Sequence, residues 1–119
     1  MNTITEAGAR IMVQHLVRSF VDATEVAESS QEWVLRARRL QDALGRLLGV
    51  TPSHYDIEEL ITSFEEIESI ETGTHPKLEV NQSLTVNNAP ELTDYLLGRI
   101  ERETTALLAN AGFGKRVAA

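Results

Sequence analysis

The chain has 119 residues, of which 42% are hydrophobic and 24% charged, with a net charge of −7 and no cysteine. That balance fits one globular domain and excludes a disordered chain, while the length leaves little room for a second core. The missing cysteines exclude disulfides, thiolate zinc sites and cysteine nucleophiles, and fit a reducing, cytoplasmic setting.

The first helix is predicted from about Thr5 to Ala27, with Thr3 and Glu6 in the form of a capping box. Ile11, Met12, Leu16, Val17, Phe20 and Val21 recur at helical spacing as its apolar stripe, with His15 nearby. A second helix starts at Ser29 or Ser30, where Ser29 and Glu32 form another box. Its seam is Trp33, Ala37, Leu40, Leu44 and Leu47; Arg36, Arg38, Arg39 and Arg46 lie off the seam, and Gly49 ends it. The third helix begins with Thr51-Pro52 as N-cap and N1, or with Ser53 and Asp56 as the alternative cap. It buries Ile57, Leu60, Ile61, Phe64, Ile67 and Ile70 and ends near Gly73.

After a loop around Pro76, Leu78, Val80, Leu84 and Val86 alternate with Glu79, Asn81, Ser83 and Thr85, a strand-like pattern over 78–86. A single strand leaves its backbone groups unpaired, so it lies over the helices, pairs with its twin in a dimer, or joins a partner's sheet. A homodimer is the favoured expectation. Asn87-Asn88-Ala89-Pro90 turns into a last helix with Leu92, Tyr95, Leu96, Ile100 and Leu107 inward. Gly112 closes it. The expected architecture is all-α: four principal helices in a compact bundle, one extended segment between helices 3 and 4, a single domain over 1–112, and a short C-terminal tail over 113–119.

The N-terminal Met1–Glu6 has no basic region and no following apolar run, which predicts a chain that is neither exported nor membrane-bound. Charge is the more informative feature. Acids and bases cancel in residues 1–55 and again in 72–119, whereas Asp56, Glu58, Glu59, Glu65, Glu66, Glu68 and Glu71 have no base among them. Carboxylates near the C-terminal end of a helix oppose its dipole, so stability alone does not ask for them. Two explanations stand side by side. The arginines of the second helix could pair with them across the Gly49-Val50 connection. Alternatively, Glu58, Glu65, Glu66, Glu68 and Glu71 form a docking face for a protein partner with a basic surface.

Two resemblances mark other functions. Leu44 to Glu59, with Gly45 placed before the turn glycine Gly49, resembles the centre of a helix-turn-helix DNA reader. Its would-be reading helix carries Asp56, Glu58 and Glu59, which repel phosphates, and Ile57 falls one place early. Separately, Glu65 and Glu68, with Glu91 and Asp94, resemble the paired carboxylate motifs of the all-α nucleotide pyrophosphohydrolases, as does the string Glu91 to Leu97. That resemblance implies a Mg²⁺ site on those four residues. Pro76 and a strand-like segment separate the two pairs here. His15, His54 and His75 have no metal-ligand spacing, and there is neither a G-x-S-x-G serine nor a phosphate loop. The expected function is therefore non-enzymatic and cofactor-free, namely protein–protein interaction that regulates, inhibits or assembles a macromolecular partner, with nucleic acid disfavoured. So compact and acidic a chain suits a bacterial or phage accessory protein.

Overall fold

In a computed structural model, which describes residues 4–24, 29–80, 83 and 87–113, four helices carry the fold. They are α1 (Glu6–Thr24), α2 (Ser30–Leu48), α3 (His54–Glu71) and α4 (Ala89–Asn110). No helix is long and apolar enough to cross a membrane among the described residues.

Side chains at the helix ends explain the boundaries. Ser29 Oγ accepts the N–H of Glu32 at 3.1 Å and opens α2. Ser53 Oγ accepts from Asp56 at 3.1 Å and opens α3, which decides between the two caps open from sequence. At α1 the cap is Thr5, whose hydroxyl accepts from Gly8 at 3.0 Å, two residues later than the Thr3 cap expected. Thr3 lies outside the described residues, as does the stretch 25–28 into which that helix was expected to run.

Gly49 ends α2 at φ 78°, returning its N–H to the Gly45 carbonyl. An added Cβ there would meet nothing within 4 Å, so the backbone angle is the whole cost of a side chain. Gly49→Ala should lower unfolding free energy by about 1–2 kcal/mol in urea titration, and Gly49→Asn by less. Equal stability for all three residues would show that the left-handed turn is not held in solution.

At the end of α4, Gly112 has φ 95°, and the Phe113 N–H returns to the Leu108 carbonyl at 2.9 Å. The Phe113 ring packs half-buried on the core. Phe113 thus belongs to the helix cap and not to the tail expected from sequence; residues 114–119 lie outside the described residues.

The core joins Val13, Val17, Phe20 and Val21 of α1, Leu40, Leu44 and Leu48 of α2, the inward face of α3, and Leu96, Ile100, Leu107 and Leu108 of α4. The α3 stripe is as expected, with Ile70 half-buried at its end. The α1 stripe is as expected over Val17, Phe20 and Val21, with Leu16 half-buried, but not in its first turns. Ala9, Val13 and Val17 are fully buried, while Ile11 is 67% and Met12 42% exposed. Apolar residues on α1 cover two adjacent faces, and packing chooses the one with the smaller side chains, which lets α2, α3 and α4 all approach it. In α4, Tyr95 likewise faces outward at 61% exposure, and Thr104 takes a fully buried place instead.

Residue pairs give the layout. Arg10 and Gln14 of α1 meet Glu101 of α4, and Asp56, Ser63 and Glu66 of α3 meet Asn110, Glu103 and Arg99 of α4. The helix α3 therefore runs antiparallel to α4. The helix α1 touches all three others, whereas α2 packs on α1 and its backbone hardly meets α3. The molecule is 20 Å across its thinnest direction, the thickness of two helix layers.

The strand-like segment is partly described. Its two ends close on each other. Glu79 N–H donates to Asn88 Oδ1 at 2.8 Å, Asn88 Nδ2 donates to the Lys77 carbonyl at 2.8 Å, and Asn87 N–H donates to the Glu79 carbonyl at 3.0 Å. An asparagine side chain here supplies what a neighbouring strand would, so these backbone groups need no second chain. Residues 81, 82 and 84–86 of the segment lie outside the described residues.

A candidate docking groove between the second and third helices

Because α2 leans on α1 and not on α3, a groove of about 440 Å³ opens between α2 and α3. Its apolar surface is built from Trp33, Val34 and Ala37 on one wall and Ile57 and Ile61 on the other. Trp33 is held in place by an edge-on contact with Phe20, centroids 5.7 Å apart and planes at 73°. Val34 stays 46% exposed and Leu35, beside it on the outer face of α2, 50%. The polar rim carries Arg38, Gln41, His54, Glu58, Thr62 and Glu65. Past Trp33 and Glu65 the groove continues into a recess of about 300 Å³ that also involves Glu68, Ser69 and Thr72.

The acidic residues of α3 divide by helical phase. Glu66 faces α4, where Arg99 reaches it at 2.8 Å, and its other oxygen lies 3.5 Å from Nε2 of the buried His75. The His75 ring is oriented by the Lys77 N–H, which donates to Nδ1 at 3.1 Å. Glu71 meets Arg18 of α1 at 3.7 Å, with both side chains more than half exposed, a pair of little energetic weight. Glu58 and Glu65 point to the groove side and meet no cation among the described residues. Partial burial pushes the Glu65 carboxyl above the usual carboxylate range. Glu68 lines the continuing recess.

The expected lattice between α2 arginines and α3 carboxylates is not how these acids are paired. None of Glu58, Glu65, Glu66 and Glu71 bonds an α2 arginine among the described residues. Arg36 instead pairs inside its own helix with Glu32 at 2.7 Å. Among the described residues, the arginines seen to pair with α3 acids come from α1 and α4. The reason is the groove itself, since the short Gly49–Ser53 connection brings the helices side by side with little close backbone approach.

Comparison of the chain with protein-family models, with curated proteins and with solved structures finds no match in any of the three. Geometry alone therefore bears on the two resemblances seen in the sequence. The pair α2–α3 runs antiparallel, with Trp33 beside Glu65 and Glu68, and Gln41 donating to the Pro52 carbonyl at 3.2 Å. A helix-turn-helix has its two helices crossing at about 90–120°. Gly45 packs against Thr51 of the connection, where an added Cβ would sit 3.1 Å from Thr51 Oγ1. The start of α3 is a negative field, strong enough that Glu59 above all, then Asp56 and Glu58, raise the exposed Tyr55 phenol pKa.

The four carboxylates of the pyrophosphohydrolase resemblance are not gathered either. Glu65 and Glu68 face the groove and recess beside Trp33, while it is Glu66 and Ser63 that look toward α4. Glu91 and Asp94 are exposed in the first turns of α4. No group of three or more His, Asp or Glu side chains converges to hold a metal ion among the described residues.

Sequence reasoning missed the groove and the second polar cluster, in which Arg99 joins Glu66 and Glu103 and the Ser63 hydroxyl reaches Glu103. The spacing of Arg99 and Glu103, one helical turn apart on α4, was the only signal for it in the sequence.

Proposed function

We propose that this chain is a non-enzymatic interaction module that engages a partner protein through the groove between α2 and α3, and regulates or assembles that partner by occupying it. The supporting observation is the groove's make-up, an apolar surface of Trp33, Val34 and Ala37 over the nearly buried Ile57 and Ile61, beside Glu58 and Glu65, which meet no cation among the described residues. Grooves of this kind take up amphipathic segments, with apolar burial supplying affinity and charge supplying selection and encounter rate. Of the five acids expected to form a docking face, this reading keeps Glu58, Glu65 and Glu68 at the interface, and leaves Glu66 and Glu71 to the fold.

Site-specific photo-crosslinking tests it. A benzophenone side chain at Val34 or Thr62 should join the chain to one partner polypeptide in cells, and Glu58→Lys with Glu65→Lys should abolish that product. A probe at Thr105, on α4 beside Arg10, should give none. Equal crosslinking from all three positions would remove the proposal.

A further inference from the structure

The groove's length and charge placement restrict its occupant. Its α3 wall runs from His54 to Glu65, a rise of about 16 Å, or three helical turns. Glu58 and Glu65 stand seven residues apart, hence two turns and about 10 Å apart along the same edge. The opposite wall presents Arg38. An apolar floor between one acidic edge and one basic residue matches a helix whose apolar stripe lies between edges of opposite sign.

Resting on the function proposed above, we infer that the occupant is a three-turn amphipathic helix of a partner protein carrying two lysines or arginines seven residues apart on the edge that meets Glu58 and Glu65. Its apolar side chains, at intervals of three and four, cover Trp33, Val34 and Ala37 and the small exposed edges of Ile57 and Ile61, and an acid on its far edge meets Arg38. A second copy of this chain is the poorer occupant. Each copy has a net charge of −7, and its excess acids all lie on the helix that lines the groove, so approach of two copies is opposed where approach of a basic helix is steered.

The experiment is selection on the full chain from a displayed library of 14-residue helices with a fixed leucine stripe and both edges randomised. Enriched helices should carry Lys or Arg at two positions seven apart on one edge. Synthetic versions should bind saturably, and Glu58→Lys or Glu65→Lys should each weaken them at least tenfold. A peptide with those two cations changed to Glu should regain binding to the double Lys variant. Val34→Glu, at an exposed position that leaves the core intact, should weaken every selected helix.

Enrichment with no cation preference, but with binding still lost in Val34→Glu, would overturn this inference and keep the groove as an interaction site. Binding indifferent to Val34→Glu, or no saturable binder at all, would overturn both. Concentration-dependent dimerisation that Val34→Glu abolishes would also overturn it, by making the second copy the occupant.

Discussion

Leu60→Ala is expected to lower unfolding free energy by about 3–4 kcal/mol, a large part of the ~5–15 kcal/mol available to a domain of this size. Leu60 is 1% exposed on the stripe of α3 that faces the common core. Truncation there removes transfer free energy and leaves a cavity that three helices must collapse to fill. A fall in melting temperature of roughly 10–15 °C should accompany it. Leu35→Ala supplies the internal contrast. Leu35 is 50% exposed on α2, and its loss should shift stability by no more than about 0.5 kcal/mol. Equilibrium urea unfolding of both variants reads the two effects directly. A Leu60→Ala loss below about 1 kcal/mol would mean that α3 does not bury this face.

Arg99→Leu is the second large effect, expected at about 2–3 kcal/mol near neutral pH, below the ~3–5 kcal/mol of a fully buried broken pair because the site is partly wet. Arg99 bonds Glu66 at 2.8 Å and lies 3.8 Å from Glu103, whose side chain is 16% exposed. Its removal leaves two carboxylates on the α3–α4 seam facing Glu59 and each other with no guanidinium. The loss should depend on pH in a definite direction. Burial raises the Glu103 pKa above the ordinary glutamate value, partly offset by Ser63 and Arg99, while Glu59 adds to the rise.

An acid with a raised folded-state pKa binds more protons folded than unfolded across that window. Stability from this group is therefore full below the unfolded pKa and declines as pH rises through the folded one. Without Arg99 the folded pKa rises further. The deficit of Arg99→Leu should thus shrink on acidification from pH 7 toward pH 5, measured as the difference in unfolding free energy from the parent chain. A deficit that stays constant or grows over that range would refute the role given to Arg99.

Helix number and the ends of α2 were legible because their causes are local. Ser29, Ser53 and Gly49 act on backbone groups within four residues of themselves, so the chain states them in its own order. The buried stripe of α3 was legible for the same reason, since its alternative faces are densely charged. The first half of the α1 stripe was not, because Ile11 and Met12 compete with Ala9 and Val13 for the inside. Periodicity cannot choose between two apolar faces a hundred degrees apart.

The same distinction governs the acidic segment. Sequence by itself determined that the excess charge lies on one helix, between Asp56 and Glu71, and that this helix buries its other side. Only the tertiary structure decided where four of these acids lie. Glu66 is held by Arg99, Glu71 lies by Arg18, and Glu58 and Glu65 stand over an open groove. Among the described residues, the nearest arginines along the chain, those of α2, pair with none of Glu58, Glu65, Glu66 and Glu71. A charge's partner is set by which helices pack together, and α1's small inward residues draw α2 to themselves and away from α3.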